Sequence, residues 1–302
     1  MTADPGPAAE PDPSTAPVPV PGPEPAPEPT PVSEPAAAPA PALGPPLSEA
    51  VGAVADRIAD LLRACGDGSA PIPGAQWTVA EAAAHLALAN ELMAGLAAGR
   101  ELPYGDGTPG GLAAANAASL AAFPERDPAV LADAVVRHTA AFTEAAALRP
   151  AGEEVVSPLG VMDSGVLGSY LLTHMLGHGY DIAVALRRPH MVDAALVALA
   201  VPFLQWGMPR VVNAAAAGHS GCYLLRIRGG ARFAVTFTGG AVQVSAEPPR
   251  RPDCTILLEP VTFFLIALGR RTTTAALARG GVLAWGRRPW RAPAFPGLFT
   301  AP

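Results

Sequence analysis

The 302-residue sequence contains no lysine, so all 20 of its basic residues are arginine. A phosphate-cradling Gly-x-x-x-x-Gly-Lys loop is thereby excluded, and no Gly-x-Gly-x-x-Gly run follows a strand-like segment. Cysteine is scarce as well. Cys65, Cys222 and Cys254 form no Cys-x-x-Cys pair and are odd in number, which argues against a disulfide framework and for a reducing, cytoplasmic setting. Each reads as a small buried hydrophobe. Long apolar runs are missing too: the stretch from Ala194 to Met208 is interrupted by Pro202 and Gln205 and is too short for a bilayer. No basic segment followed by an apolar one opens the chain, so a signal peptide is not expected. The net charge is −6 and no broad basic surface emerges. Nucleic acid and acidic membranes are therefore not expected as partners.

What is present is unevenly placed. Residues 1–46 hold 17 of the 36 prolines and six acids (Asp4, Glu10, Asp12, Glu24, Glu28, Glu34), with no basic residue. The rest of the chain has 20 acids against 20 arginines, so the whole net charge sits in this segment. Proline removes amide donors and fixes φ, and there is little apolar bulk to bury. A disordered, partly polyproline-II tail is predicted.

From Leu47 to about Leu186 the periodicity is helical. Val51, Val54, Ile58, Leu61 and Leu62 make an apolar stripe at three- and four-residue spacing. A second helix starts at "WTVAEAAAHL", where Thr78 and Glu81 have capping-box spacing and Trp77 is placed to staple the entry. A third is predicted over Leu112–Ala122, a fourth from Asp127-Pro128, and a fifth over Ser164–Leu186. Antiparallel helices on short or moderate loops make a four-helix-type bundle with one extra segment. After Pro189 a helix is predicted over Asp193–Ala217, and then the period changes. "CYLLRIRGGARFAVTFTGGAVQVS" places two Gly-Gly turns between strand-like runs, a three-stranded antiparallel meander. "DCTILLEP" adds a fourth strand, Thr262–Leu268 and Thr273–Arg279 read as short helices, and "GGVLAWG" as a turn and short strand. Arg226 and Arg228 alternate with Leu225 and Ile227, as on the solvated face of a sheet. The expected fold class is α+β: a disordered tail over 1–46, a helical bundle over 47–190 and a small α+β domain with an antiparallel sheet over 191–302.

Only six histidines occur, and two stand four apart in "HMLGHGYD", residues 174–181. Helical spacing puts His174 and His178 on one face, with Asp181 and Tyr170 on the same face. Such a pair supplies two nitrogen ligands, and Asp181 could orient His178 by accepting its second ring proton. A catalytic zinc wants a third ligand and an open position, which must come from another helix. His85, set among Ala82, Ala84, Leu86, Leu88 and Ala89, is the strongest candidate. His138, His190 and His219 are weaker. Spacing alone leaves the alternative open, namely core histidines bonded to backbone carbonyls.

"WTVAEAAAHL" and "HMLGHGYDIAVAL" resemble, in the same order, two segments of the actinobacterial mycothiol-dependent maleylpyruvate isomerase family, within the wider DinB-like metalloenzymes. The resemblance covers about residues 47–190. It implies a DinB-like four-helix bundle holding a divalent metal, most often zinc. It carries the family's first histidine onto His85 and the one before Gly-Tyr-Asp onto His178. The ligand four residues earlier is often glutamate in the isomerase and histidine in many DinB-like relatives; here it is His174. That departure keeps a three-histidine zinc site but puts maleylpyruvate isomerisation itself in doubt. The segment "CTILLEPVTFFLIALGRRTTTAALARGGVLAWG" resembles the end of the sterol-carrier-like domain that often follows this bundle.

The implied chemistry is a metal-activated thiol, with mycothiol as cosubstrate, adding to an electrophilic small molecule for cis–trans isomerisation or thiol transfer. A carboxylate substrate would need cations. Arg270, Arg271, Arg287, Arg288 and Arg291 cluster near the C-terminus, and Arg287, after Gly286 at a turn, is the expected anchor alongside Tyr170. Trp285 and Trp290 read as core or as an apolar pocket wall. Two other function classes fit the same sequence. One is a non-catalytic, sterol-carrier-like binder of apolar ligands with a structural bundle, and the other an interaction protein docking through its proline-rich tail.

Overall fold

The computed structural model describes residues 1–2 and 44–301. Most of the proline-rich segment predicted to be disordered therefore lies outside the described residues. Those from 44 onward fall within one compact unit.

Four helices form the bundle: α1 (Pro45–Arg63), α2 (Val79–Ala97), α4 (Pro128–Ala147) and α5 (Ser164–Ala185). Each of α1 and α2 packs against both α4 and α5, while α3 (Pro109–Ala122) lies against α2. The start of α1 at Pro45-Pro46 falls where helical N–H groups have no partner to lose. Its stripe Val51, Val54, Ile58 and Leu62 is buried, as the spacing predicts. The capping box of α2 is formed. Thr78 Oγ1 accepts from the Glu81 N–H at 3.3 Å, and Glu81 Oε2 accepts from the Thr78 N–H at 2.8 Å. Such a cap stabilises a helix start by about 1 kcal/mol and fixes where α2 begins, and with it the position of His85.

Between α4 and α5 the chain makes a hairpin, β1 (Glu154–Ser157) and β2 (Gly160–Asp163), in the connection between the fourth and fifth predicted helices, where no strand was expected. Val155 and Met162 are buried, whereas Val156 and Val161 point outward. The turn at Pro158-Leu159 closes with Gly160 at φ 107°, a region glycine tolerates.

Helix α6 (Ala194–Gly207) packs on α5 despite Pro202 in its interior. The hydroxyl of Ser169 on α5 donates to Leu199 O at 2.8 Å and accepts from the Phe203 N–H at 3.1 Å. It thus enters the helical bond that the proline opens, and pins α6 to α5. The helix ends ten residues before the predicted Ala217. Pro209 has no N–H to continue the ladder, and the chain goes on as two single turns, Met208–Arg210 and Ala214–Ala216.

The sheet has strand order β5-β4-β3-β6-β7, formed by β3 (Gly221–Ile227), β4 (Arg232–Thr238), β5 (Ala241–Ser245), β6 (Cys254–Leu258) and β7 (Val282–Trp285). The meander β3–β5 and its Gly-Gly turns match the sequence reading. The sheet is mixed, however, rather than antiparallel, because β6 runs parallel to β3 with Tyr223 opposite Cys254. The buried Asp253 holds this crossing: its N–H donates to Cys222 O at 2.8 Å and its carboxylate accepts from the Cys222 N–H at 3.0 Å. Helices α7 (Pro260–Ala267) and α8 (Thr273–Ala278) connect β6 to β7. Arg226 and Arg228 are exposed, Cys222 and Cys254 are buried, and Cys65 is half-buried. No helix among the described residues is long and apolar enough to cross a membrane.

Candidate metal centre

The motif on α5 carries two glycines as well as two histidines. A Cβ on Gly177 would stand 3.1 Å from Leu268 Cδ1, and one on Gly179 would stand 2.8 Å from Met191 Sδ and 3.1 Å from Ile58 Cγ1. These glycines admit α1 on one side and the end of α7 on the other. Each costs a helix interior roughly 1 kcal/mol relative to alanine. His178, between them, is enclosed from both sides.

Facing it, α2 presents His85. One nitrogen each from His85, His174 and His178 can be chosen so that all three lie within 4.8 Å of one another. His85 Nε2 and His174 Nε2 are 3.0 Å apart, and the His174 Nδ1 nitrogen is buried without a hydrogen-bond partner. Trp77 closes the cluster, its ring 5.0 Å from that of His85 and 5.9 Å from that of His178. The staple position thus became a wall of the site.

Burial pushes the His85 imidazole down to about 4. Burial first, then the neighbouring histidines and Arg270, hold His174 and His178 well below their ordinary value. All three are therefore neutral near pH 7, the form in which imidazole binds metals. The set fits a divalent ion of the zinc type. It offers three imidazoles that are neutral near pH 7, each able to turn one nitrogen to a common point, and all three border a cavity.

Asp181 does not meet His178 as expected. The distance from His178 Nδ1 to Asp181 Oδ2 is 3.8 Å, too long for a hydrogen bond. Its carboxylate instead accepts from Arg270 Nε at 3.3 Å and Nη2 at 2.9 Å. The planar guanidinium takes both oxygens at once, a geometry an imidazole lacks.

The cavity, about 400 Å³, is lined by the three histidines, Trp77, Tyr170, Arg270 and side chains from the sheet and C-terminal segment. Tyr170 stacks on Phe203 at 4.2 Å, and burial raises its hydroxyl pKa, so it remains an O–H donor. Arg287 is exposed and outside the lining; the arginines that reach the cavity are Arg270 and Arg210. Trp285 and Trp290 are 43% and 71% exposed, neither core nor cavity wall, and Trp77 and Trp206 take that place. His138 bonds Ala87 O at 3.0 Å, and His219 bonds the Tyr223 hydroxyl at 2.9 Å.

Residues 51–183 match the family model described as the mycothiol maleylpyruvate isomerase N-terminal domain, and residues 209–283 match the SCP-2 sterol transfer family. The two family models thus match successive parts of the chain, the helical bundle and then the sheet. Among solved structures, the mycothiol-dependent maleylpyruvate isomerase aligns at 15% identity and TM-score 0.45, over 79% of this chain and 90% of that one. A histidine-to-alanine mutant of that isomerase aligns at 13% identity and TM-score 0.49, over 79% and 91%. The sec-alkylsulfatase Pisa1 from Pseudomonas sp. aligns at 16% identity and TM-score 0.28, over 46% of this chain. The chain spans about a quarter of that sulfatase, 24% of its length. Comparison with curated proteins found no match. The three-histidine cluster lies within the residues matched by the isomerase model, while the sheet side of the cavity lies within those matched by the SCP-2 model.

Proposed function

We propose that the chain is a metal-dependent, mycothiol-using enzyme, with His85, His174 and His178 holding one divalent ion, zinc by preference. The observation that carries this reading is the convergence of three neutral imidazoles in the wall of a cavity of about 400 Å³. Zinc, when bound there, would lower the pKa of a thiol so that it is a thiolate near neutral pH.

The chain's own residues supply the surroundings. The three neutral imidazoles would hold the ion without adding negative charge, leaving its positive charge to favour a thiolate. Trp77 and the apolar wall keep water away, which strengthens electrostatic attraction at the site. Asp181 fixes Arg270 beside the histidines, placing a cation near an electron-withdrawing group of the substrate. Tyr170 keeps its proton and can donate to the same group.

Addition of a thiolate to a conjugated double bond forms a C–S bond and leaves a single bond free to rotate. Expulsion of the thiolate then restores the double bond as the trans isomer; in a transferase, the adduct is protonated and released. The reading includes both outcomes. The test is consumption of mycothiol, or its catalytic use, across a panel of conjugated electrophiles. Zinc-loaded chain should turn over at least one at a rate that His178→Ala loses by about 100-fold, the upper end of what even the partners of metal ligands cost when removed. A panel on which the two chains behave alike would contradict the proposal.

A second reading is supported by the reach of the cavity beneath the SCP-2 sheet: a non-catalytic carrier of apolar ligands. Ligand binding unaffected by metal, with no thiol chemistry on any electrophile, would favour it.

A further inference from the structure

The residues lining the cavity include two arginines, Arg210 and Arg270, and no aspartate or glutamate. The two charges stand differently. Arg270 is matched by Asp181, whose carboxylate accepts from it at 2.9 and 3.3 Å. Arg210 is exposed and pairs with no carboxylate among the described residues. Its hydrogen bond runs from Nη1 to Trp206 O at 2.7 Å, leaving Nη2 and Nε without a protein partner among those residues. The cavity therefore carries one unmatched positive charge, on Arg210.

That charge is also held in place. The Arg210 Cζ lies 3.6 Å from the centroid of the Trp206 ring, and the stack together with the carbonyl bond fixes the plane of the guanidinium. An anion arriving here meets a pre-placed donor fork. It gains charge-assisted hydrogen bonds without displacing an internal ion pair.

From Arg210 a run of rings leads along the α6 and α5 wall to the histidines. Trp206 stacks with Phe203 at 6.0 Å, Phe203 stacks with Tyr170 at 4.2 Å, and Tyr170 meets His174 edge-on at 6.4 Å. A planar, unsaturated body packs well against such a wall.

We infer that Arg210 is the residue by which this cavity selects its ligand: an aryl or conjugated carboxylate, with its anionic group on Arg210 and its planar body along Trp206, Phe203 and Tyr170. That the end nearest His174 is the one that reacts rests on the proposed reading of the histidines; the selection by Arg210 does not. Arg210 is thus a specificity residue, set apart from the atoms where chemistry occurs.

Naphthoate and the neutral naphthamide of the same shape test the selection, titrated by calorimetry at pH 7 into the full metal-free chain. Naphthoate should bind at least about tenfold more tightly, the factor that hydrogen bonds to a charged group supply. Arg210→Gln should bring the two ligands to nearly equal affinity. Arg251→Gln removes the same charge from an exposed position outside the lining and should keep the wild-type ratio. Arg210→Lys, a point charge without the fork, should keep only part of it. Equal affinities in the wild type, a ratio that survives Arg210→Gln, or failure of both compounds to bind would each overturn the inference. Zinc uptake is measured separately. A chain that takes up no zinc yet keeps the naphthoate ratio would sink the metal reading and leave the anchor standing, while a zinc-binding chain with a ratio of one would do the reverse.

Discussion

At the scale of single residues, the histidines were legible because helical periodicity is local. Positions four apart share a face whatever else the chain does, and a histidine ringed by alanine and leucine points inward. Arg270 and Asp181 were not legible as a pair, since they stand 89 residues apart and meet only when the turn after α7 packs on α5. Sequence reasoning placed Asp181 against its helical neighbour His178 and preferred Arg287 for the cavity; long-range packing decided both otherwise. The ion pair is largely enclosed, with side-chain exposures of 21% for Arg270 and 13% for Asp181. Replacing Arg270 by Ala should therefore destabilise the chain by about 2–3 kcal/mol, because the carboxylate loses two charged hydrogen bonds in a poorly hydrated place. Arg270→Lys, a point charge without the fork, should recover only part of that. Urea unfolding midpoints of the two variants check it, and equal midpoints for wild type and Arg270→Ala would contradict the pairing.

At the scale of elements, α1 to α5, the meander and the short helices α7 and α8 follow from signals within a dozen residues: caps, stripes and Gly-Gly turns. Three features depended on more than that. The hairpin Glu154–Asp163 fills the connection between two helices, and only its Val155/Val156 alternation and its Pro158–Gly160 turn announce it. The parallel pairing of β6 with β3 depends on where the chain crosses, which no local period encodes. The position of α6 depends on Ser169, a small polar residue on another helix that supplies the bonds Pro202 disrupts. Ser169→Ala leaves one carbonyl and one amide without that partner and should cost about 1–3 kcal/mol. Since α6 carries Phe203 against Tyr170, the loss should also loosen the cavity wall. Faster amide exchange at Phe203, with other bundle amides unchanged, is the expected observation; uniform exchange across the bundle would contradict the local role.

At the scale of the whole molecule, bundle and sheet share one cavity, and the histidines in its wall couple folding to protons. His85 titrates at about 4 in the folded chain against an ordinary 6.5. A depressed histidine binds its proton more readily when the chain is unfolded. Stability is therefore fully present above pH 6.5 and is lost as the pH falls toward 4. For the metal-free chain, the His85 shift alone predicts a loss of about 2 kcal/mol between pH 7 and pH 5. His174 and His178 act in the same direction. Urea midpoints measured with a chelator present should fall accordingly, and a flat profile would mean that the imidazoles are not buried. Added zinc should raise the midpoint at pH 7 in proportion to the logarithm of its concentration above the dissociation constant.

The most direct test of the account is the metal content of the purified protein, wild type beside His174→Ala and His178→Ala. The account predicts one divalent ion per wild-type chain and its loss from both variants, each still folded by circular dichroism. Wild-type chain that takes up no stoichiometric metal, even after incubation with zinc, would contradict it.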